Sequence, residues 1–193
     1  MLRIRQSRES SELAYTIEDA IQRVSRVRRP PGAKQIADEI RLVLANSSID
    51  ALYRDRVLSG RTRQYGLSRA NHEATVEIIH TLLGIELKIG NRRLLCPDYP
   101  TARYLSIFAR LGGGQVAVPY DITQISTIAD EMESSLQRML LMVDLLTKER
   151  SSRIKALVRS RLAEIIRENI AQLGAGTKFP EFAPPRRRRP ATR

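Results

Sequence analysis

Apolar residues return every third or fourth position through most of this chain, and only between Gly84 and Tyr120 does the spacing tighten to two. Helical stretches come first. Leu13, Ile17, Ala20, Val24 and Val27 form one stripe from Ser11 onward, which predicts a helix before Pro30-Pro31-Gly32 breaks the chain. Lys34 to Ala45 carries Ile36, Ile40, Val43 and Leu44 on one side, and Asn46-Ser47-Ser48 then interrupts and offers an N-cap for a helix over Ile49 to Leu58. Ser59 to Leu67 is polar and reads as a loop. Ser68 is placed to cap a third helix whose apolar end, Ile78, Ile79, Leu82 and Leu83, is stopped by Gly84.

The strand-like stretch has its own internal logic. Ile85, Leu87 and Ile89 alternate with Glu86 and Lys88, Gly90-Asn91 interrupts, and Leu94-Leu95-Cys96 comes next. A Gly-Asn dipeptide between two such runs predicts a two-residue hairpin, because Gly supplies the positive φ that the primed turns need. That loop sets Ile89 opposite Arg92, Leu87 opposite Leu94 and Ile85 opposite Cys96, with Lys88, Arg92 and Arg93 near the tip. Pro100 then suits the first turn of a helix carrying Tyr104, Leu105, Phe108 and Leu111, and Gly112-Gly113-Gly114 ends it. Gln115 to Pro119 reads as one more short strand, confined by its proline to an edge or a strand end.

Downstream the periodicity is at its clearest. Asp121 with Gln124 resembles a capping box, and Ile122, Ile125, Ala129, Met132, Leu136, Met139, Val143 and Leu146 keep the three-four alternation of a heptad seam. The register fails at Arg150 and Arg153. A second stripe, Ile154, Val158, Leu162, Ile165, Ile166 and Leu173, predicts either a helical hairpin turning near Ser151 or one helix with a phase shift. The seam residues Ile125, Met132, Leu136, Met139, Val143 and Leu146 are expected to join a second copy or a partner subunit; packing onto the helix from Ser11 is the competing use. From Gly174 onward Gly and Pro breakers without periodicity predict a disordered tail. The expected organisation is therefore a basic leader and helix over 1–32, a helical and β unit over 33–120, a helical association region over 121–173 and a basic tail over 174–193. The fold class expected is mainly α with a small β element.

Composition adds a partner class to this picture. The chain has 193 residues and a net charge of +12, with a pI near 10.6. Such an excess suits a polyanion, nucleic acid above all, against the plainer alternative of a solvated basic surface. The run Arg186, Arg187, Arg188 and Arg189 is by composition a sequence-independent phosphate contact, and it equally suits docking on an acidic protein with Phe179 and Phe182 as anchors. The single cysteine excludes an internal disulfide, no apolar run reaches the ~20 residues of a membrane helix, and the expectation is a soluble, cytoplasmic protein.

Three helices followed by a basic-tipped hairpin, Lys34 to Cys96, is an order that resembles the winged helix-turn-helix. The resemblance implies a third helix in the major groove and a hairpin wing on the flanking backbone or minor groove. By position it carries over Arg69, His72 and Glu73 on the helix, and Lys88, Asn91, Arg92 and Arg93 at the wing; Arg61 and Arg63 stand on the loop before. A small strand-rich unit followed by LLTKERSSRIKALVRSRL also resembles the arrangement of GINS replication-complex subunits, which implies a protein-only scaffold in a replication or transcription complex.

Catalytic chemistry finds little support in the sequence. His72 and His80 are eight residues apart, no second Cys, HExxH or phosphate-binding glycine loop is present, and Cys96 has no paired His. Glu86-Leu87-Lys88 matches the Glu-x-Lys of metal-dependent nucleases, the least favoured of the alternatives. The reading is a non-enzymatic, nucleic-acid-associated protein that dimerises or joins a complex, with no cofactor, no membrane partner and no small-molecule substrate.

Overall fold

The Gly90-Asn91 turn forms as its sequence requires, with Gly90 at φ 58° and strands β3 (Gly84–Ile89) and β4 (Arg92–Cys96) on either side in a computed structural model of the chain. Pairing runs Ile89 to Arg92, Leu87 to Leu94 and Ile85 to Cys96, the register that the two-residue loop dictates. The structure describes residues 19–22, 31–67 and 75–175. Its other elements are α1 (Ala33–Val43), α2 (Ile49–Leu52), β1 (Thr62–Gly66), β2 (Val76–Thr81), α3 (Tyr99–Arg110), β5 (Gln115–Pro119), α4 (Ile122–Leu146) and α5 (Ser152–Leu173). Helix therefore predominates, with two small antiparallel sheets. Of the helix expected from Ser11, only residues 19–22 are described; they are helical and Ala20 is buried.

Helix starts follow local chemistry. Ser48 Oγ accepts from the Ala51 amide at the start of α2, Asp98 Oδ1 accepts from the Thr101 amide at the start of α3, and Asp121 Oδ1 accepts from the Thr123 amide at the start of α4. Each satisfies one of the first-turn donors that no carbonyl can reach, a contribution of about 1 kcal/mol. Beyond Leu52 the chain continues as a π-helical turn, Tyr53–Val57, in which the Leu58 amide donates to the Tyr53 carbonyl five residues back.

Two elements depart from the sequence expectation. The third helix of the winged-helix order is not present at Ile78 to Leu83: Val76–Thr81 is strand β2, paired antiparallel to β3, and Leu82-Leu83 is the turn between them. Ile78, Ile79, Leu82 and Leu83 have helical spacing, but β-branched residues fill the run and β3 offers a partner one tight turn away. The polar stretch after Ser59 is likewise not all loop, because Thr62–Gly66 is strand β1, paired with β5.

α3 is the centre of the packing. Ala102, Tyr104, Leu105, Ile107, Phe108 and Ala109 are all buried, since the β2–β3–β4 sheet lies on one side of the helix and α4 on the other. Thr101 and Ser106 complete a helix hidden almost all round, which is why its apolar run is so dense. β5 joins this core from its free edge: Tyr53 Oη accepts from the Ala117 amide at 2.8 Å, and Tyr104 Oη donates to the Ala117 carbonyl at 2.6 Å. Two tyrosine hydroxyls thus stand where a neighbouring strand would. Tyr53 Oη also donates to the Gly174 carbonyl at 2.9 Å and so holds the end of α5. Buried side chains from Ile36 to Ile170 form one cluster.

Candidate nucleic-acid and assembly surfaces

The hairpin tip keeps less free charge than its sequence suggests. Strand pairing places Glu77, Lys88 and Arg93 in one row across the outer face of the sheet, and Ile79, Glu86 and Leu95 in the next. Lys88 Nζ lies 3.1 Å from Glu77, and Arg93 reaches diagonally to Glu86 at 3.3 Å. Surface pairs of this kind add little stability, but they cancel the local field that a phosphate would feel. Asn91 and Arg92 remain exposed at the tip. Glu77 escapes a reading that takes Val76–Thr81 as helix, and with it the acid that neutralises Lys88.

Arg61 and Arg63 lie at and in β1, which belongs to the other sheet, so the structure does not join them with the hairpin into one element. Arg61 is exposed, whereas the Arg63 guanidinium sits 5.1 Å above the Tyr65 ring with its Nε buried and without a hydrogen-bond partner. Cation–π contact holds that side chain against the strand. Arg69, His72 and Glu73 of the expected recognition helix lie outside the described residues, as do Arg186, Arg187, Arg188 and Arg189 of the basic run.

A different group of cations is set by the break between α4 and α5. Lys148 and Arg153 are exposed and Arg150 half-buried, all within six residues, with Glu149 the one acid among them. α5 opens with no acidic residue in its first turn and Ser151 makes no side-chain cap bond, so Arg153 and Lys155 stand at the positive end of the helix dipole. Lys155 is answered by Asp144 at 2.8 Å, and Arg159 by the same carboxylate at 2.9 Å. Those two partners hold the Asp144 carboxyl below its ordinary range, Lys155 first. No described ion pair answers Lys148, Arg150 or Arg153. The sequence carries a signal for this group, the failure of the apolar register at Arg150 and Arg153.

The heptad seam is spent inside the chain. Ile125, Met132, Leu136, Met139, Val143 and Leu146 are none of them more than 7% exposed, because α1, α2, α3 and α5 cover them. Among the described residues these side chains are core, which leaves them little surface for the expected association; the helix expected before Pro30, the competing cover, lies outside the described residues except for 19–22. Arg103 fixes the α3–α4 contact from outside, reaching Asp130 at 2.7 Å and Glu133 at 2.6 Å, and both carboxylates push its already high pKa further up.

Apolar surface is left elsewhere. Leu82 and Leu83, at 108% and 82% exposure, form the β2–β3 turn, and Leu95 on β4 comes close enough to meet a Cβ added at Gly84. Tyr99 is exposed as well and stacks on His80 at 5.8 Å, a residue on the face of the sheet opposite Leu95. A second exposed pair, Leu141 and Leu145, lies on the outward face of α4.

Burial raises the Cys96 thiol above its ordinary pKa, and Glu86 accepts from Arg93 and Thr81. Among the described residues no group of three or more His, Cys, Asp or Glu is placed to hold a metal ion, and no helix is long and apolar enough to cross a membrane. No family model, no curated protein and no solved structure matches the chain.

Proposed function

We propose that this chain is a non-enzymatic protein that binds nucleic acid through its phosphates, with the α4–α5 break as its folded contact surface. The observation that carries this reading is the group Lys148, Arg150 and Arg153, cations with no described ion-pair partner at the end of two rigid helices, in a chain of net charge +12. Asn91 and Arg92 at the hairpin tip supply a secondary, wing-like contact, and Arg186, Arg187, Arg188 and Arg189 a sequence-independent one. A third helix for the major groove is not part of this proposal, since its expected apolar end is β2 and the turn after it. Cytoplasmic location belongs with the same reading.

The test is binding of labelled duplex and single-stranded DNA across a salt series. Affinity should fall linearly on logarithmic axes, and replacing Lys148, Arg150 and Arg153 together by glutamate should flatten the slope by roughly 2–3, near one for each phosphate no longer neutralised. Arg92→Glu should flatten it by about one or less. Salt-independent binding, or a triple variant that behaves as the parent, would sink the proposal.

Assembly is the second reading, a scaffold subunit in the manner of the GINS-like order, and the exposed Leu82-Leu83 turn with Leu95 favours it. Leucines this exposed at a turn tip leave apolar area that a partner surface covers. Leu82→Asp with Leu83→Asp should lower the sedimenting mass of an oligomer, or abolish pull-down of a partner, while the circular dichroism of the chain stays unchanged. An unchanged assembly would remove that turn from the interface.

A further inference from the structure

Between the Gly112–Gly114 loop and the C-terminal half of α5 lies a cavity of about 770 Å³. Phe108, Leu111, Val116 and Ile170 give it apolar walls, and Gly174 and Ala175 form part of its rim. Ala175 is the last described residue, so the chain continues from the edge of this cavity. Gly174, at φ 91°, turns the backbone out of the helix there, and the Tyr53 hydroxyl fixes its carbonyl.

The sequence beyond Ala175 has the reach to enter this cavity. Gly176-Thr177-Lys178 leads to Phe179-Pro180-Glu181-Phe182, which holds the only aromatic residues after Tyr120. Phe179 is four residues past Ala175, about 13 Å of extended chain, and Phe182 seven, about 23 Å. Ile170 lies four residues back from Gly174 along α5, about 6 Å of helix rise. The segment can therefore double back with length to spare. Pro180 also favours an extended Phe179, the backbone shape in which a short run is laid along a cleft.

We propose that residues 179–182 of this chain's own tail seat in this cavity, with Phe179 and Phe182 as the anchors. Glu164, Arg167 and Glu168 line the α5 side, Glu164 answered by Arg161 of its own helix at 2.6 Å, and the two phenylalanines gain from Phe108, Leu111, Val116 and Ile170 by apolar burial. The arginine run then emerges beside the last turns of α5 instead of at the end of a free tether. This holds whether or not the run meets nucleic acid.

Hydrogen–deuterium exchange of the full chain tests it, comparing the parent with a Phe179→Ser, Phe182→Ser variant. The expected result is exchange at least tenfold faster at Gly114, Gln115 and Ala171 in the variant, with the centre of α3 unchanged as the control for folding. Equal rates in the two proteins would overturn the proposal. So would a difference that grows with protein concentration, because the tail would then be seating in a second copy.

Discussion

Replacing Leu136 and Met139 together by aspartate unfolds this chain; it does not release a partner. Both side chains are enclosed by the chain's own helices, and a carboxylate placed there exchanges water for apolar neighbours. Several kcal/mol per unpaired buried charge, on a total stability of about 5–15 kcal/mol, is enough to empty the native state. Circular dichroism at neutral pH should show the helical signal lost or its cooperativity abolished. Recovery below about pH 4, as the aspartates take up protons, would be the companion sign. A variant that keeps the parent's thermal transition but sediments at half the mass would return the seam to an interface and contradict the burial of α4.

Tyr53→Phe should cost about 2 kcal/mol although only one oxygen is removed, because that oxygen serves the buried Ala117 amide and the half-buried Gly174 carbonyl at once. The Ala117 amide is left without its acceptor and the Gly174 carbonyl without its donor, so the β5 edge and the end of α5 loosen together. Urea denaturation gives the number; a loss under about 0.5 kcal/mol would mean that water replaces the hydroxyl without penalty. Alkaline pH probes the same link. Burial raises the Tyr53 pKa above the ordinary 10.0, partly offset by the Ala117 amide, and burial followed by the charge of Tyr53 raises Tyr104 well above it. The unfolded chain releases these protons first, so the stabilisation is complete below about pH 10 and is lost as the pH climbs through the folded values. Tyr104→Phe should flatten that alkaline limb, and the parent's steeper decline is the measurement to set beside it.

The sequence is most informative where structure is decided between neighbours. Gly90-Asn91 fixes the β3–β4 register because a two-residue loop leaves no freedom to slip, and Asp121 and Ser48 cap helices a few atoms away. Legibility fails where the partner is distant or the period ambiguous. β1 pairs with β5 from far along the chain, so nothing near Thr62–Gly66 announces a strand. Ile78, Ile79, Leu82 and Leu83 fit a helical stripe on paper, yet Ile78 packs on the core and the two leucines stand in solvent. The heptad seam is legible as a buried stripe and not as an interface, since spacing says that a face is covered and not by whom. For the candidate surfaces the failure is electrostatic: Lys88 and Arg93 are visible in the sequence, but the acids that answer them become neighbours only through strand pairing.

The π-helical turn at Tyr53–Val57 gives the chain a point of length tolerance. A π turn holds one residue more than the α turn it replaces, and here both ends of that turn, Tyr53 and Val57, are buried while Arg54, Asp55 and Arg56 between them are exposed. Deleting Asp55 would touch no core side chain, and the turn would close as an ordinary α turn with the segments on either side kept in register. Tyr53, which clasps Gly174, and Val57, which leads towards β1, stand four positions apart and face inward together as they would in an α-helix, so the added residue is taken up on the exposed side of the turn.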